Sequence, residues 1–319
     1  MKILVTGGGG FIGRRLVDVL AGDGHHVSVL SRGPARPLPP RVRLIHADLA
    51  SEDCPLDALL QGCEVVFHCA GETRNVALMR ALHVGGTRRL LDAVMCDARR
   101  GGRTVHWVQL STIGAYGEPS GSPNADRIVT EDTPTRPVNE YQITKTLSDD
   151  MVIEASRSGV VTATVVRPSK VIGPGMSDNS LCLLGTLVRK GLFFYIGRPG
   201  ALATYVHVDD VVEVLRRAAT ASRAKGQVFN VSNDCLLEDM LVGMASTLGV
   251  RPPYLRIPES VARTIARVGR VIGGIPLTQE RINVLVRRTR YPYDKLVKRL
   301  DFTPRVSIPG AVGDILRSL

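Results

Sequence analysis

The apolar run Ile3-Leu4-Val5 leads into Thr6-Gly7-Gly8-Gly9-Gly10-Phe11-Ile12-Gly13, and a helical pattern, Leu16, Val17, Leu20, follows at once. Strand, glycine turn and helix thus fill the first 22 residues. A strand that feeds a helix through so tight a turn opens a βαβ unit, and such units stack into parallel sheets covered by helices. Glycines lack a Cβ, so the backbone can bend sharply and come close to a pyrophosphate. The helix behind them offers unpaired N–H groups and the positive end of its dipole to that anion. The segment predicts a dinucleotide site cradled by Gly7, Gly10, Phe11, Ile12 and Gly13.

The next strand, read at His26 to Leu30, ends in Ser31-Arg32-Gly33. An NAD site of this kind places Asp or Glu here for the ribose 2′-OH, whereas an NADP site offers room and a cation for the 2′-phosphate. Leu30 to Gly33 holds no carboxylate and does hold Arg32, with Arg36 close behind. NADP is therefore the expected cofactor, with NAD as the alternative.

Short β-rich runs alternate with helical patterns through the first two thirds of the chain. Strands are read at Val42 to Ile45, Glu64 to His68, Val105 to Leu110 and Val160 to Val166. Helices are read over 75–98 and 139–157, and a return to the sheet at Gln227 to Val231. The pattern predicts an α/β fold, a doubly wound parallel sheet of Rossmann type with a smaller, mainly helical C-terminal substrate lobe. The expected division is 1–168 for the nucleotide domain, rejoined by 204–231, with 169–203 and 232–319 as the substrate lobe.

Composition excludes several classes. No apolar run approaches the ~18 residues of a membrane span, and nothing resembling a leader precedes the first strand, so a cytosolic protein is expected. The six cysteines show no CxxC pairing and no clustering with histidine; they are read as reduced packing residues, with no metal site. Net charge is +11, and residues 251–319 hold 14 Lys/Arg against 5 Asp/Glu. With only 4% aromatic residues and no nucleic-acid module, the acidic partner expected is a phosphorylated small molecule. Pro258 to Gly273 reads as a helix with Val261, Ile265, Val268 and Ile272 as its apolar stripe. Arg263, Arg267 and Arg270 lie on another face, as a solvated surface, an anion collector or, at most, a peripheral foothold on a membrane.

Tyr141-Gln142-Ile143-Thr144-Lys145 places a phenol and an ammonium four residues apart, on one face of a helix. A free tyrosine ionises near pH ~10, and a neighbouring cation lowers that value, which makes the pair a proton donor or acceptor beside a carbonyl or hydroxyl carbon. Leu110-Ser111-Thr112 ends a strand and offers a hydroxyl to the same substrate oxygen.

Taken together, Thr6–Gly13, Asp48-Leu49, His68-Cys69-Ala70-Gly71, Ser111 to Gly117, Tyr141 to Lys145, Arg167-Pro168 and Tyr205 to Val211 resemble an extended short-chain dehydrogenase/reductase of the epimerase/dehydratase kind. The resemblance implies Tyr141 as acid/base, Thr112 as its hydrogen-bonding partner and Lys145 on the nicotinamide ribose. It implies Asp48 and Leu49 near the adenine, and Ala70, Gly71 and Pro168 along the cofactor. Substrate contacts are expected from Thr112, Tyr116, Lys170 and Asn179, and a homodimer through the helices at 75–98 and 139–157. Ile113 and Gly114 stand where 4,6-dehydratases carry an acidic couple, so water elimination is not expected. His83 replaces the usual Asn, and Ala203-Thr204 replaces an Arg-Asp pair whose arginine holds a sugar diphosphate in epimerases.

The segment Val166 to Leu184 resembles bacterial nucleotide-sugar 4-ketoreductases of surface-polysaccharide pathways. The leading expectation is hydride transfer at C4 of a nucleotide-linked sugar, as reductase or epimerase. Reduction of a non-sugar carbonyl or hydroxysteroid is the alternative, and a non-catalytic NADP sensor stands behind both.

Overall fold

The computed structural model describes residues 1–33, 38–118, 121–176, 180–272 and 277–317. Seven parallel strands form the main sheet: β1 (Lys2–Thr6), β2 (His26–Ser31), β3 (Val42–His46), β4 (Val65–His68), β5 (Val105–Leu110), β6 (Val161–Pro168) and β7 (Gln227–Val231). Their order is β7-β6-β5-β4-β1-β2-β3. The order reverses between β1 and β4, and in doubly wound sheets ligands bind outside the carboxyl ends of the strands at this switch point. The central strands are buried on both faces, as covered parallel sheets require, so β4 and β5 read as unbroken buried runs.

Helix α1 (Phe11–Gly22) covers one face through Leu16, Val17 and Leu20. The other face is covered by α2 (Val76–Arg80), a π-helical turn at Ala81–Gly86, α3 (Thr87–Arg100) and α4 (Glu140–Ala155). The helix expected over 75–98 is thus continuous but widened by one π turn, at the Gly85-Gly86 pair. A Cβ on Gly86 would lie 3.1 Å from Leu49, so the turn passes close over that residue. The expected return at Gln227 to Val231 is the edge strand β7. Tyr205–His207 instead pairs in parallel with Lys170–Ile172, apart from the main sheet.

The C-terminal part adds α5 (Ser180–Arg189), α6 (Val208–Thr220), α7 (Leu237–Leu248), α8 (Glu259–Ile272), α9 (Gln279–Leu285), α10 (Asp294–Leu300) and α11 (Ile308–Arg317). Helix α6 packs on the main core beside α1. A separate apolar cluster joins α5, α7 and α11 through Leu181, Met240, Met244 and Val312. Gly243 faces Pro309 and Gly313 faces Thr247, so α7 and α11 approach closely.

Helix α8 departs from the sequence reading. Its buried residues are Ala262 and Ala266, while Val261 and Val268 are 46% and 45% exposed. The small pair lets α8 sit close to α9, and the larger valines then face outward. Arg263 is no anion collector either: it pairs with Glu259 and donates to Gln279 and Asn283. The side chains of Arg270 and Ile272 lie outside the described residues.

Candidate active site

Gly7 has φ of +68°, and a Cβ there would lie 2.7 Å from the backbone of Ala70 at the end of β4. A Cβ on Gly13 would overlap the carbonyl oxygen of Gly7. Gly10 is the N-cap of α1 and supplies no side-chain cap. Side chains at Gly7 and Gly13 would collide with this chain's own backbone, and the first N–H groups of α1, at Phe11 to Gly13, have no acceptor within the helix. These residues fit the pyrophosphate of a dinucleotide. Asp48 accepts the N–H of Ala50, and the Leu49 side chain is buried beneath Gly86. Ala70 and Gly71 stand at the end of β4, and Pro168 closes β6.

Helix α4 carries the tyrosine and lysine. Asn139 caps it by accepting the N–H of Gln142, and Gln142 in return accepts the N–H of Val138. Tyr141 thereby sits in the first turn, at the positive end of the helix dipole. The 3₁₀ turn Ile113–Tyr116 begins at Thr112, whose Oγ1 accepts the N–H of Gly114 at 3.0 Å. That leaves the Thr112 hydroxyl hydrogen to donate elsewhere. A Cβ on Gly114 would lie 3.0 Å from Gln142, so this turn rests against the start of α4 beside Tyr141.

Burial pushes the Tyr141 phenol up to about 12, and the Asp149 carboxylate adds to the rise. The sequence reading expected a lowered value from Lys145. The difference has a physical cause: Lys145 is itself buried, its ammonium is held down by burial, and Nζ donates to the carbonyl of Leu110 at 2.6 Å.

Beneath the cleft lies a buried ionic group that sequence reading missed. Asp149, one turn after Lys145, accepts from Ser111 Oγ at 2.7 Å and from Arg167 at 3.1 Å. Burial pushes its carboxyl up, while Arg167 and Lys145 hold it down. The spacing Lys145 to Asp149 was visible in the sequence; the buried partner on β6 was not.

His83 is fixed by the π turn. Its Nε2 accepts the N–H of Glu72 at 2.8 Å, so Nδ1 carries the hydrogen and donates to Thr144 Oγ1 at 2.8 Å. Burial, then the Lys145 charge, lowers His83 to about 3, so it stays neutral. Its ring meets Tyr141 edge-on with centroids 5.8 Å apart. A second chain, Thr6–His68–Thr87–Ser148–Gln109, ties β1, β4, α3, α4 and β5 together under the site.

The remaining expectations divide. Tyr116 is fully buried, and its hydroxyl donates to Asn230 at 2.8 Å. It packs beneath the Arg167 guanidinium and so belongs to the floor, not to a substrate surface. Lys170 is exposed, with Nζ 2.5 Å from Ser180 Oγ and facing the Tyr205 ring. Asn179 and Arg36 lie outside the described residues. Arg32 stands between two carboxylates, 3.6 Å from Glu72 and 3.8 Å from Asp48. Arg287 pairs with Glu118, and Arg288 and Arg198 both pair with Asp126. Among the described residues no group of His, Cys, Asp and Glu is arranged to hold a metal ion.

A parallel sheet with a glycine cradle at its switch point and a tyrosine–lysine helix across the cleft defines an extended short-chain dehydrogenase/reductase. The chain belongs to the NAD dependent epimerase/dehydratase family, whose model matches residues 3–232. It is 31% identical over 292 residues to the short-chain dehydrogenase/reductase family 42E member 1 of Macaca fascicularis, covering 83% of this chain and 72% of that protein. It is 28% identical over 344 residues to the 3beta-hydroxysteroid-dehydrogenase/decarboxylase isoform 1 of Arabidopsis thaliana, covering 96% and 76%. The fold matches that of the UDP-glucuronic acid 4-epimerase from Bacillus cereus in complex with UDP-glucuronic acid and NAD. There the TM-score is 0.73 at 19% identity, over 100% of this chain and 99% of that one.

Proposed function

We propose that this protein transfers hydride between a nicotinamide dinucleotide and C4 of a nucleotide-linked sugar, as a 4-ketoreductase or 4-epimerase. The observation that carries the reading is the pair of hydroxyls at the cleft. Tyr141 stands at the start of a capped helix, and Thr112 keeps a hydrogen to donate. The bound dinucleotide supplies or accepts the hydride. The glycine cradle would hold its pyrophosphate, and Lys145, whose Nζ donates to the carbonyl of Leu110, would hold its nicotinamide ribose. A phenol pushed up to about 12 is protonated at neutral pH, so Tyr141 is set to donate to a carbonyl oxygen. Thr112 shares that oxygen. This supports the reductase direction. Ile113 and Gly114 carry no proton-transferring group, which supports a reaction without water elimination.

The sugar substrate is supported by the likeness to a UDP-glucuronic acid-bound epimerase over the whole of both chains. A second reading, a secondary alcohol or ketone on an apolar skeleton, is favoured by the arginines. Arg198, Arg287 and Arg288 are engaged by carboxylates of this chain, and Ala203 offers no charge for a diphosphate. The Arabidopsis relative is named for a hydroxysteroid substrate. Nucleotide oxidation assayed with UDP-4-keto-sugars and with ketosteroids, beside titration of UDP alone, separates the two. UDP binding with sugar turnover supports the first reading; steroid turnover without UDP binding replaces it with the second. We extend the reading to a homodimer through α2 and α4, where Val76, Leu78 and Leu147 are exposed.

A further inference from the structure

The cation expected to choose NADP does not stand alone. Arg32 follows β2, and Glu72 follows β4, on opposite sides of the glycine turn that ends β1. The turn abuts both. A Cβ on Gly9 would lie 2.6 Å from Ser31 Oγ, beside Arg32, and one on Gly7 would lie 2.7 Å from Ala70, two residues before Glu72. The Arg32–Glu72 pair, at 3.6 Å, therefore spans the cradle.

Glu72 is a fixed anion. Its Oε1 accepts the N–H groups of Thr73 and Arg74 at 2.9 Å and of Asn75 at 3.2 Å. Those bonds, with Arg32, hold its carboxyl below the usual carboxylate range. Its own N–H is held by His83. The other oxygen, Oε2, is left for Arg32. Asp48 approaches Arg32 from the end of β3 at 3.8 Å. One guanidinium thus meets two carboxylates. A 2′-phosphate carrying nearly two negative charges would enter a spot whose nearest fixed charges sum to about −1. A ribose 2′-OH enters the same spot as a neutral group, which the net negative charge does not repel.

We propose that Glu72 is the specificity-determining residue for the cofactor: by engaging Arg32 across the glycine turn it turns the site from NADP toward NAD. The inference rests on the reading that this cradle binds a nicotinamide dinucleotide. It reverses the preference expected from Arg32 alone, and it gives the 72–75 loop a role in recognition. Both 3.6 Å and 3.8 Å are longer than a hydrogen bond, so the arginine is held by charge and is released when a neighbouring charge is removed.

Isothermal titration of NADH, NADPH, 5′-AMP and 2′,5′-ADP against wild type, Glu72→Gln and Arg32→Ala tests it without turnover. Glutamine keeps an acceptor for the loop N–H groups and removes the charge, and thermal unfolding of each variant checks the fold. Wild type is expected to bind NADH about tenfold or more tighter than NADPH. Glu72→Gln should raise NADPH and 2′,5′-ADP affinity about tenfold while moving NADH and 5′-AMP less than about threefold. Adding Arg32→Ala to Glu72→Gln should erase that gain. Wild-type preference for NADPH, or equal changes for both cofactors in Glu72→Gln, overturns the proposal. Failure of all four ligands to bind wild type overturns the dinucleotide reading itself.

Discussion

Tyr141 is the residue on which the proposed chemistry turns. Tyr141→Phe removes one hydroxyl and almost no volume. Turnover should fall by roughly 10²–10⁴-fold, the contribution of a general acid. Dinucleotide affinity by titration should stay within a few fold. Retained activity on the true substrate would remove Tyr141 from its role. His83 makes a different prediction, about stability. Its folded value is depressed to about 3 against an ordinary 6.5, so the unfolded chain binds a proton there that the folded chain refuses. The depressed group favours folding above pH ~6.5, and this contribution is lost as pH falls toward 3. Urea unfolding of wild type and His83→Asn across pH 7.5 to 4.5 should show the wild type's stability dropping relative to the variant. A pH-independent difference would mean that His83 takes up its proton alike in the folded and the unfolded chain, which would remove the depression. The glycine turn between β1 and α1 and the placing of Tyr141 and Lys145 on one helix were legible in the sequence, because each depends on neighbours a few residues away. Glu72, Asp149 and the burial of Tyr116 were not. Their meaning comes from Arg32, Arg167 and Asn230, which the topology alone brings to them.

At the scale of elements, periodicity located the helices and strands well but misjudged one face. In α8 the apolar stripe Val261, Ile265, Val268 looked like the core face, yet Ala262 and Ala266 are inside. Hydrophobic spacing reports a helix; it does not report how close the neighbouring helix comes. Two substitutions separate the readings. Val268→Ser should change stability by less than about 0.5 kcal/mol, as exposed positions do. Ala266→Leu should cost about 1–3 kcal/mol by overpacking the contact with α9. Denaturant unfolding measures both, and a reversed ranking would return the valines to the core. The π turn at Ala81–Gly86 was likewise invisible to periodicity, since one widened turn displaces a helical pattern by only about one residue.

At the scale of the whole molecule, the parallel sheet and the return at Gln227 to Val231 followed from strand–helix alternation, while the edge position of β7 is shown only by the strand order. The C-terminal part was legible only as helical, because Arg287 and Arg288 are matched to Glu118 and Asp126, far away in sequence. Assembly gives the prediction at this scale. The paired variant Leu78→Glu, Leu147→Glu should convert a dimer to a monomer by light scattering while the far-ultraviolet spectrum is unchanged. A wild type that is already monomeric would dismiss the interface. One further consequence follows from the strand order. β6 hydrogen-bonds β5 on one side and β7 on the other, but residues 169–226 separate β6 from β7. A ribosome adding about 5–20 residues per second needs about 3–12 s to cross that interval. Throughout it the emerging chain holds six finished strands and an open edge bearing Val165 and Val166, so synthesis itself schedules a window in which nascent copies can join edge to edge.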